Sequence, residues 1–285
     1  MTTLVTGSRG KVGSALLTLL HQQGLPVRAA SASPGDLSTP AGVETVRCAL
    51  DDPSTFRAAL DSVTSVFLYA EPAQIDTFVA EAHAAGVEHI VLLSSSAVMA
   101  PDAADNPIAA SHLAVEQCLA AGPLEATLLR PGAFAGNALQ WAGALRSTGV
   151  VELPYPDSHG DPIHEHDIAR VASAVLTRPG LRGGTHHLTG PQSLTFAEQI
   201  ATVARAAGRR TPVDIRTVTR EEWQKSVSAY LPGEFAQALL DYWASTDGSP
   251  AVLTRTVEEL TGCPARPFAE WAEEHADAFR AERAA

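Results

Sequence analysis

The chain has 285 residues, 45% hydrophobic and 18% charged, with a formal net charge of −12. This composition suits a soluble globular protein long enough to bury a core without disulfides or structural metal, and it excludes a largely disordered chain. No run approaches the roughly 18 uninterrupted apolar residues of a membrane span. Two lysines (Lys11 and Lys225) and scattered arginines give no basic surface for nucleic acid. The first residues enter a strand-like run at once and leave no room for a signal peptide. Cys48, Cys118 and Cys263 are widely spaced, which suits a reducing cytoplasm.

Taken in chain order, the first half alternates β-branched runs with helical patterns. Strands are expected at Thr3–Thr6, Pro26–Ser31, Val43–Cys48, Ser65–Tyr69, His89–Ser94 and Ala126–Arg130. Helices are expected at Val12–Gln23, Pro53–Ser62, Ala73–Ala85 and Ser111–Ala121. Gly24 and Gly86 stand where helix C-caps belong, and Asp51-Asp52-Pro53 reads as a helix start. Ile90-Val91-Leu92-Leu93 is apolar on both faces, as a helix-covered parallel strand requires. The rhythm predicts an α/β protein with a doubly wound parallel sheet. After Pro131 it loosens. A helix around Asn137–Arg146, a Pro- and Gly-rich stretch from Pro154 to Pro162, and a helix from Asp167 to Thr177 follow. A strand near His186–Thr189, a helix from Phe196 to Ala207, a strand at Val213–Val218 and a helical end complete the chain. Phe268, Trp271, His275 and Phe279 should share one core-facing helix side. The expected division is residues 1–133 as a nucleotide-binding domain and 134–285 as a small, intimately packed C-terminal α/β lobe that carries the substrate pocket, with an approximate boundary and with later strands able to return to the sheet.

The strongest motif is Thr6-Gly7-Ser8-Arg9-Gly10-Lys11-Val12-Gly13, between the first strand and the first helix. In such a turn Gly7 allows the tight bend, Gly10 lets backbone approach a pyrophosphate, and Gly13 lets helix pack on sheet. The helix N-terminus then presents amides and a positive dipole to the phosphates. The second strand ends in Arg28-Ala29-Ala30-Ser31 with no acid for a ribose 2′-hydroxyl. Arg9 could reach a 2′-phosphate with Ser31 as a further donor, which favours NADP(H) over NAD(H).

The G-x-x-G-x-x-G spacing resembles the extended and atypical short-chain dehydrogenase/reductases, and His112-Leu113-Ala114-Val115-Glu116 with Leu129-Arg130-Pro131-Gly132 resembles their NmrA-like branch. That branch includes quinone and triarylmethane-dye reductases and redox-sensing regulators. The resemblance implies a Rossmann-like fold and puts Asp51, after the third strand, near the adenine. It also brings Tyr69, Ala70, Ser94, Pro131 and Phe134 to the cofactor from the ends of later strands. Family members that reduce ketones carry a Ser, and a Tyr-x-x-x-Lys pair whose lysine lowers the tyrosine's pKa. In register with Glu116, the serine position is Ser96, the lysine position is His112 and the tyrosine position is Ile108. The usual acid is absent.

One reading is therefore NAD(P)H-dependent reduction of a conjugated acceptor, a quinone, enone or aromatic compound that needs little enzymic acid, with Ser96 and His112 as catalytic groups. The alternatives are a non-redox tailoring enzyme, such as a cyclase or coupling catalyst, and a regulator that binds the dinucleotide without turnover. Phe134, Asn137, Trp141, Tyr155 and His164 are the substrate-pocket candidates. His164 and His166 are too few ligands for zinc, so no metal is expected. The partner is a small molecule, with no nucleic acid or membrane, and the chain a monomer or homodimer.

Overall fold

The computed structural model describes residues 2–280. The chain begins with β1 (Thr2–Val5), α1 (Lys11–Gln22), β2 (Val27–Ser31), β3 (Glu44–Arg47), α2 (Phe56–Leu60), β4 (Val63–Tyr69), α3 (Ile75–Ala84), β5 (His89–Leu93), α4 (Pro107–Ala121) and β6 (Glu125–Pro131). There follow α5 (Ala142–Ser147), β7 (Val150–Leu153), β8 (His159–Gly160), α6 (Glu165–Thr177), β9 (Thr185–Leu188), β10 (Leu194–Thr195) and α7 (Phe196–Ala206). The rest is β11 (Asp214–Thr217), α8 (Arg220–Val227), α9 (Gly233–Ser245), α10 (Thr256–Thr261) and α11 (Phe268–Glu274).

The first compact unit runs to Pro131 and takes back Glu165–Leu188 and Thr256–Cys263. Its seven-stranded sheet has the order β3-β2-β1-β4-β5-β6-β9, and each neighbouring pair is parallel. The fold is thus the expected α/β, Rossmann-like, doubly wound sheet. Order reverses at β1 and β4, the switch point at which such sheets open a crevice at their carboxyl edge. Leu4, Val66, Leu68, Ile90 and Leu92 are fully buried, so central strands are apolar because helices cover both faces. Helix α1 buries Val12, Leu16, Leu17 and Leu20 and stops at Gly24, whose φ of +71° lets the Leu25 amide reach the Leu20 carbonyl at 3.1 Å. Helix α4 starts at Pro107, four residues before the expected Ser111, because the Asn106 side chain caps the Ile108 amide at 2.9 Å.

The second unit comprises Gly132–His164, Thr189–Arg255 and the chain from Pro264. Glu165–Leu188 and Thr256–Cys263, beyond the approximate boundary expected at 133, pack with the first unit, because β9 returns to the main sheet beside β6 and α6 packs on α1. The second unit holds a parallel pair, β7 with β11, and an antiparallel pair, β8 with β10. Its core gathers Trp141, Leu145, Ile200, Phe268, Trp271 and Phe279. The aromatic side expected near the end is there. The rings of Phe268 and Trp271 stack at 5.7 Å, and His275 stacks on Trp271 at 4.2 Å.

Candidate dinucleotide and reduction site

The turn after β1 is built by its glycines. Gly7 has φ +62°, and a Cβ there would stand 3.0 Å from Cδ1 of Tyr69, the last residue of β4. A Cβ on Gly13 would lie 2.5 Å from the Gly7 carbonyl oxygen, closer than real Cβ atoms come. Gly10 donates its amide to that oxygen at 2.8 Å and forms the N-cap of α1. No side chain caps this helix, and its first turn carries no acid. The first i→i−4 bond joins the Ser14 amide to Gly10, and the amides ahead of it are the donors a helix N-terminus offers to an anion. Loop and cap therefore fit a dinucleotide diphosphate: a cradle that any Cβ would fill, facing an uncapped positive dipole.

The other residues expected at the cofactor fall into two groups. Arg9 and Lys11 are exposed on the loop, with Lys11 Nζ 3.9 Å from the buried Glu165 carboxylate. Ser31 ends β2, half-buried, and accepts the Ser33 amide. Asp51 is exposed in the turn after β3, while its neighbour Asp52 caps the next turn through Ser54. Tyr69 ends β4 beside the loop, Ala70 follows it, and Pro131 ends β6. Two serines depart from expectation. Ser8 is 3% exposed. Its hydroxyl donates to Val5 O and accepts from Ala30 N, and its amide donates to Ala30 O. Ser8 thus staples the loop to β1 and β2 and keeps no donor for a cofactor. Ser94 is likewise buried, its hydroxyl 2.5 Å from Glu116 Oε1. Val12 adds only backbone, since its side chain is core.

Ser96 opens the short 3-10 turn Ser96–Met99 after β5, held by Ser95, whose hydroxyl accepts the Ala97 amide at 3.2 Å. Ser96 Oγ makes no hydrogen bond among the described residues. His112 lies in the first half of α4. Its Nδ1 is buried with no hydrogen-bond partner, the kind of orphan that a ligand or water must satisfy. Burial lowers the His112 pKa below its usual 6.5, and the Glu116 charge partly opposes this. At neutral pH the imidazole is therefore mostly uncharged. The sequence reading missed Glu116 and Arg130, which form a two-point ion pair: Arg130 Nε meets Oε1 at 2.9 Å and Nη2 meets Oε2 at 2.5 Å. The available signal was a single acidic residue in the helix Pro107–Ala121.

In the second unit, Phe134 is half-buried and Asn137 exposed, both on the segment that follows β6. The other three substrate candidates are engaged elsewhere. Trp141 is 4% exposed and packs edge-on against Phe196 in the core. Tyr155 packs with Trp223 and Val227, its hydroxyl accepting from Arg220 at 3.2 Å. His164 is 2% exposed, with Nε2 3.2 Å from Glu274 Oε2. Trp141 and Tyr155 belong to the unit's apolar clusters, where a large ring on a short segment fills a small core, with Trp141 Nε1 left without a hydrogen-bond partner among the described residues; His164 is held by Glu274. The sequence reading also missed Asp161. This buried carboxyl accepts the Ala133 amide at 2.9 Å and sits against the Cα of Gly132, where any side chain would strike it. Burial raises its pKa from 3.8 to about 6. Among the described residues no group of three or more His, Cys, Asp or Glu could hold a metal, and no helix is long and apolar enough to cross a membrane.

Fold and loop together define a dinucleotide-binding α/β protein. A family model described as NAD(P)H-binding matches residues 7–179. The chain is 37% identical over 284 residues to (4-alkanoyl-5-oxo-2,5-dihydrofuran-3-yl)methyl phosphate reductase of Streptomyces griseus, covering 98% of this chain and 99% of that protein. It is 34% identical over 291 residues to NAD(P)H azoreductase of Xenophilus azovorans, again covering 98% and 99%. In fold it resembles an NADPH-dependent quinone oxidoreductase of Escherichia coli solved with NADPH, with a TM-score of 0.80 at 22% identity over 95% of this chain and 99% of that one. The Citrobacter sp. triphenylmethane reductase solved with NADP(H) gives 0.79 at 22% identity, over 97% and 100%. The chain belongs to the NAD(P)H-binding family, and its likeness to the atypical short-chain dehydrogenase/reductases is borne out.

Proposed function

We propose that the protein is an NAD(P)H-dependent reductase of a conjugated small molecule, with NADP(H) preferred. The observation that carries this reading is the pairing of a diphosphate cradle on α1 with an α4 that lacks the tyrosine acid and presents His112 with an orphaned Nδ1. Relatives named as reductases of an unsaturated furanone phosphate and of azo compounds support it. When bound, the dinucleotide supplies a hydride. The chain's own residues do the rest. The amides at the start of α1 hold the diphosphate, and Tyr69 closes one side of the loop. Arg9, with Ser31, is placed to favour a 2′-phosphate, since β2 ends without an acid. Ser96 Oγ donates a hydrogen bond to the acceptor. His112, in the tautomer that carries its proton on Nδ1, donates there, and in its charged form it delivers a proton to the reduced product. A conjugated acceptor spreads the incoming negative charge, so a proton donor that is charged in only a minority of molecules at neutral pH suffices. Phe134 and Asn137 are the proposed substrate contacts.

The three free cysteines, one of them exposed, are consistent with a cytoplasmic location. Titration of the purified protein with NADPH and NADH, followed by turnover against enones, quinones and azo compounds, tests the assignment. Saturable binding and NADPH oxidation with at least one class are expected; absence of dinucleotide binding would overturn it.

A further inference from the structure

Glu116 is the only acidic residue of α4, and its side chain is 5% exposed. It takes three donors: Ser94 Oγ at 2.5 Å, Arg130 Nε at 2.9 Å and Arg130 Nη2 at 2.5 Å. Ser94 is the residue before the Ser95-Ser96 turn, and Arg130 is the residue before Pro131, so the carboxylate ties two strand ends to one helix. His112 is four residues earlier on α4, one turn away on the same side. Buried ion pairs contribute little net stability compared with apolar replacements of the same shape. What this one secures is position. Resting on the reductase reading, we propose that Glu116 is a positioning residue for His112: its clamp on the ends of β5 and β6 sets where the imidazole stands and which charge faces it.

The surroundings leave few competitors. The 3-10 turn packed on α4 contributes no charge. On α3, Asp76 is engaged by Cys118 Sγ at 3.1 Å, further along α4. From β6, Arg130 is bound to Glu116 itself, and in β9 the nearby His187 is pushed towards its neutral form by burial and by Arg130. Glu116 is thus the acidic charge that acts on His112.

The test is Glu116→Gln, which keeps the shape and the Ser94 bond but loses the charge. Imidazole titration followed by NMR, with the His112 signal assigned from its loss in His112→Ala, needs no turnover. The midpoint is expected to fall by about half a unit or more in the variant; an unchanged midpoint overturns the proposal. In turnover, Glu116→Gln is expected to lower kcat about tenfold with the NADPH affinity kept, and to cost nothing further in a His112→Ala background. Equal losses in both backgrounds would make Glu116 a mere brace and overturn the proposal. Should that variant not fold, Ser94→Ala, which removes only the tie to β5, should show the same dependence on His112, with about a threefold loss in kcat. A shifted midpoint in a protein without turnover would count against the reductase reading and not against the clamp.

Discussion

The Gly7 carbonyl lies directly over Gly13, so close that a Cβ on Gly13 would come within 2.5 Å of the oxygen. The obstruction is backbone on both sides and cannot rotate away. Gly13→Ala should therefore push α1 off the loop, cost about 1–3 kcal/mol of stability and weaken NADPH binding at least about tenfold. Gly143→Ala, in α5 where a Cβ meets nothing within 4 Å, is the control and should leave binding unchanged and stability unchanged or slightly raised, since alanine favours the helix. Calorimetric titration and a thermal melt check both. Normal binding by Gly13→Ala would remove the loop from the site.

His112 has a direction in pH. Its folded pKa lies below 6.5, with burial the larger cause, so the charged form is present only at mildly acid pH. If it delivers the proton, kcat at saturating substrate should level off at low pH and fall as pH rises through that pKa. His112→Ala should abolish the inflection. A profile that keeps its inflection in the variant assigns the proton to another group.

Much of this was legible in the sequence, for identifiable reasons. Parallel strands such as β5 are apolar on both faces, and Gly24 and Gly86 stand at helix ends, so the first six strands could be read to within two residues. The glycine loop was legible because its spacing is a steric code. The chain after Pro131 was legible only in part: α6, β9, α7 and β11 stand within two residues of where they are expected, whereas the segment between β6 and α6 does not follow its expected pattern. β7 is four residues long and acquires its partner β11 about sixty residues later, and the expected helix at Asn137–Arg146 divides into a 3-10 stretch and the short α5. Trp141, Tyr155 and His164 were read as pocket because aromatic and imidazole side chains serve cores and sites alike. Only packing separates the two uses, and no local pattern encodes it. The Ser94–Glu116–Arg130 cluster was hidden for a similar reason: its members lie on three elements and meet only in the fold.

The proposed preference for NADP(H) is tested at Arg9. Arg9→Ala should weaken NADPH binding by about tenfold and leave NADH binding nearly unchanged, since only the former carries the 2′-phosphate. Side-by-side titrations decide it. Equal losses for both would place Arg9 on the shared diphosphate.

Away from the site, His89 at the start of β5 is fully buried. Its Nε2 is 2.9 Å from Thr127 Oγ1, and burial, aided by the Arg182 charge, pulls its pKa down to about 4. The unfolded chain takes up this proton near pH 6.5, the folded chain only near pH 4. Between those values the unfolded state binds more protons, so stability falls as pH drops, by up to on the order of 3 kcal/mol. His89→Gln should flatten this loss. Urea unfolding at pH 4.5 and 7.5 measures it, and an equal decline in both proteins would contradict the assignment.

Under the proposed function this chain moves a hydride from a bound nicotinamide to a conjugated acceptor. The most direct measurement is turnover of an enone with NADPH carrying deuterium at the transferable C4 position, read by mass spectrometry of the product. One deuterium bonded to carbon in each product molecule is the expected result. Product formed without the label, or no product from any conjugated acceptor while NADPH remains bound, would contradict it.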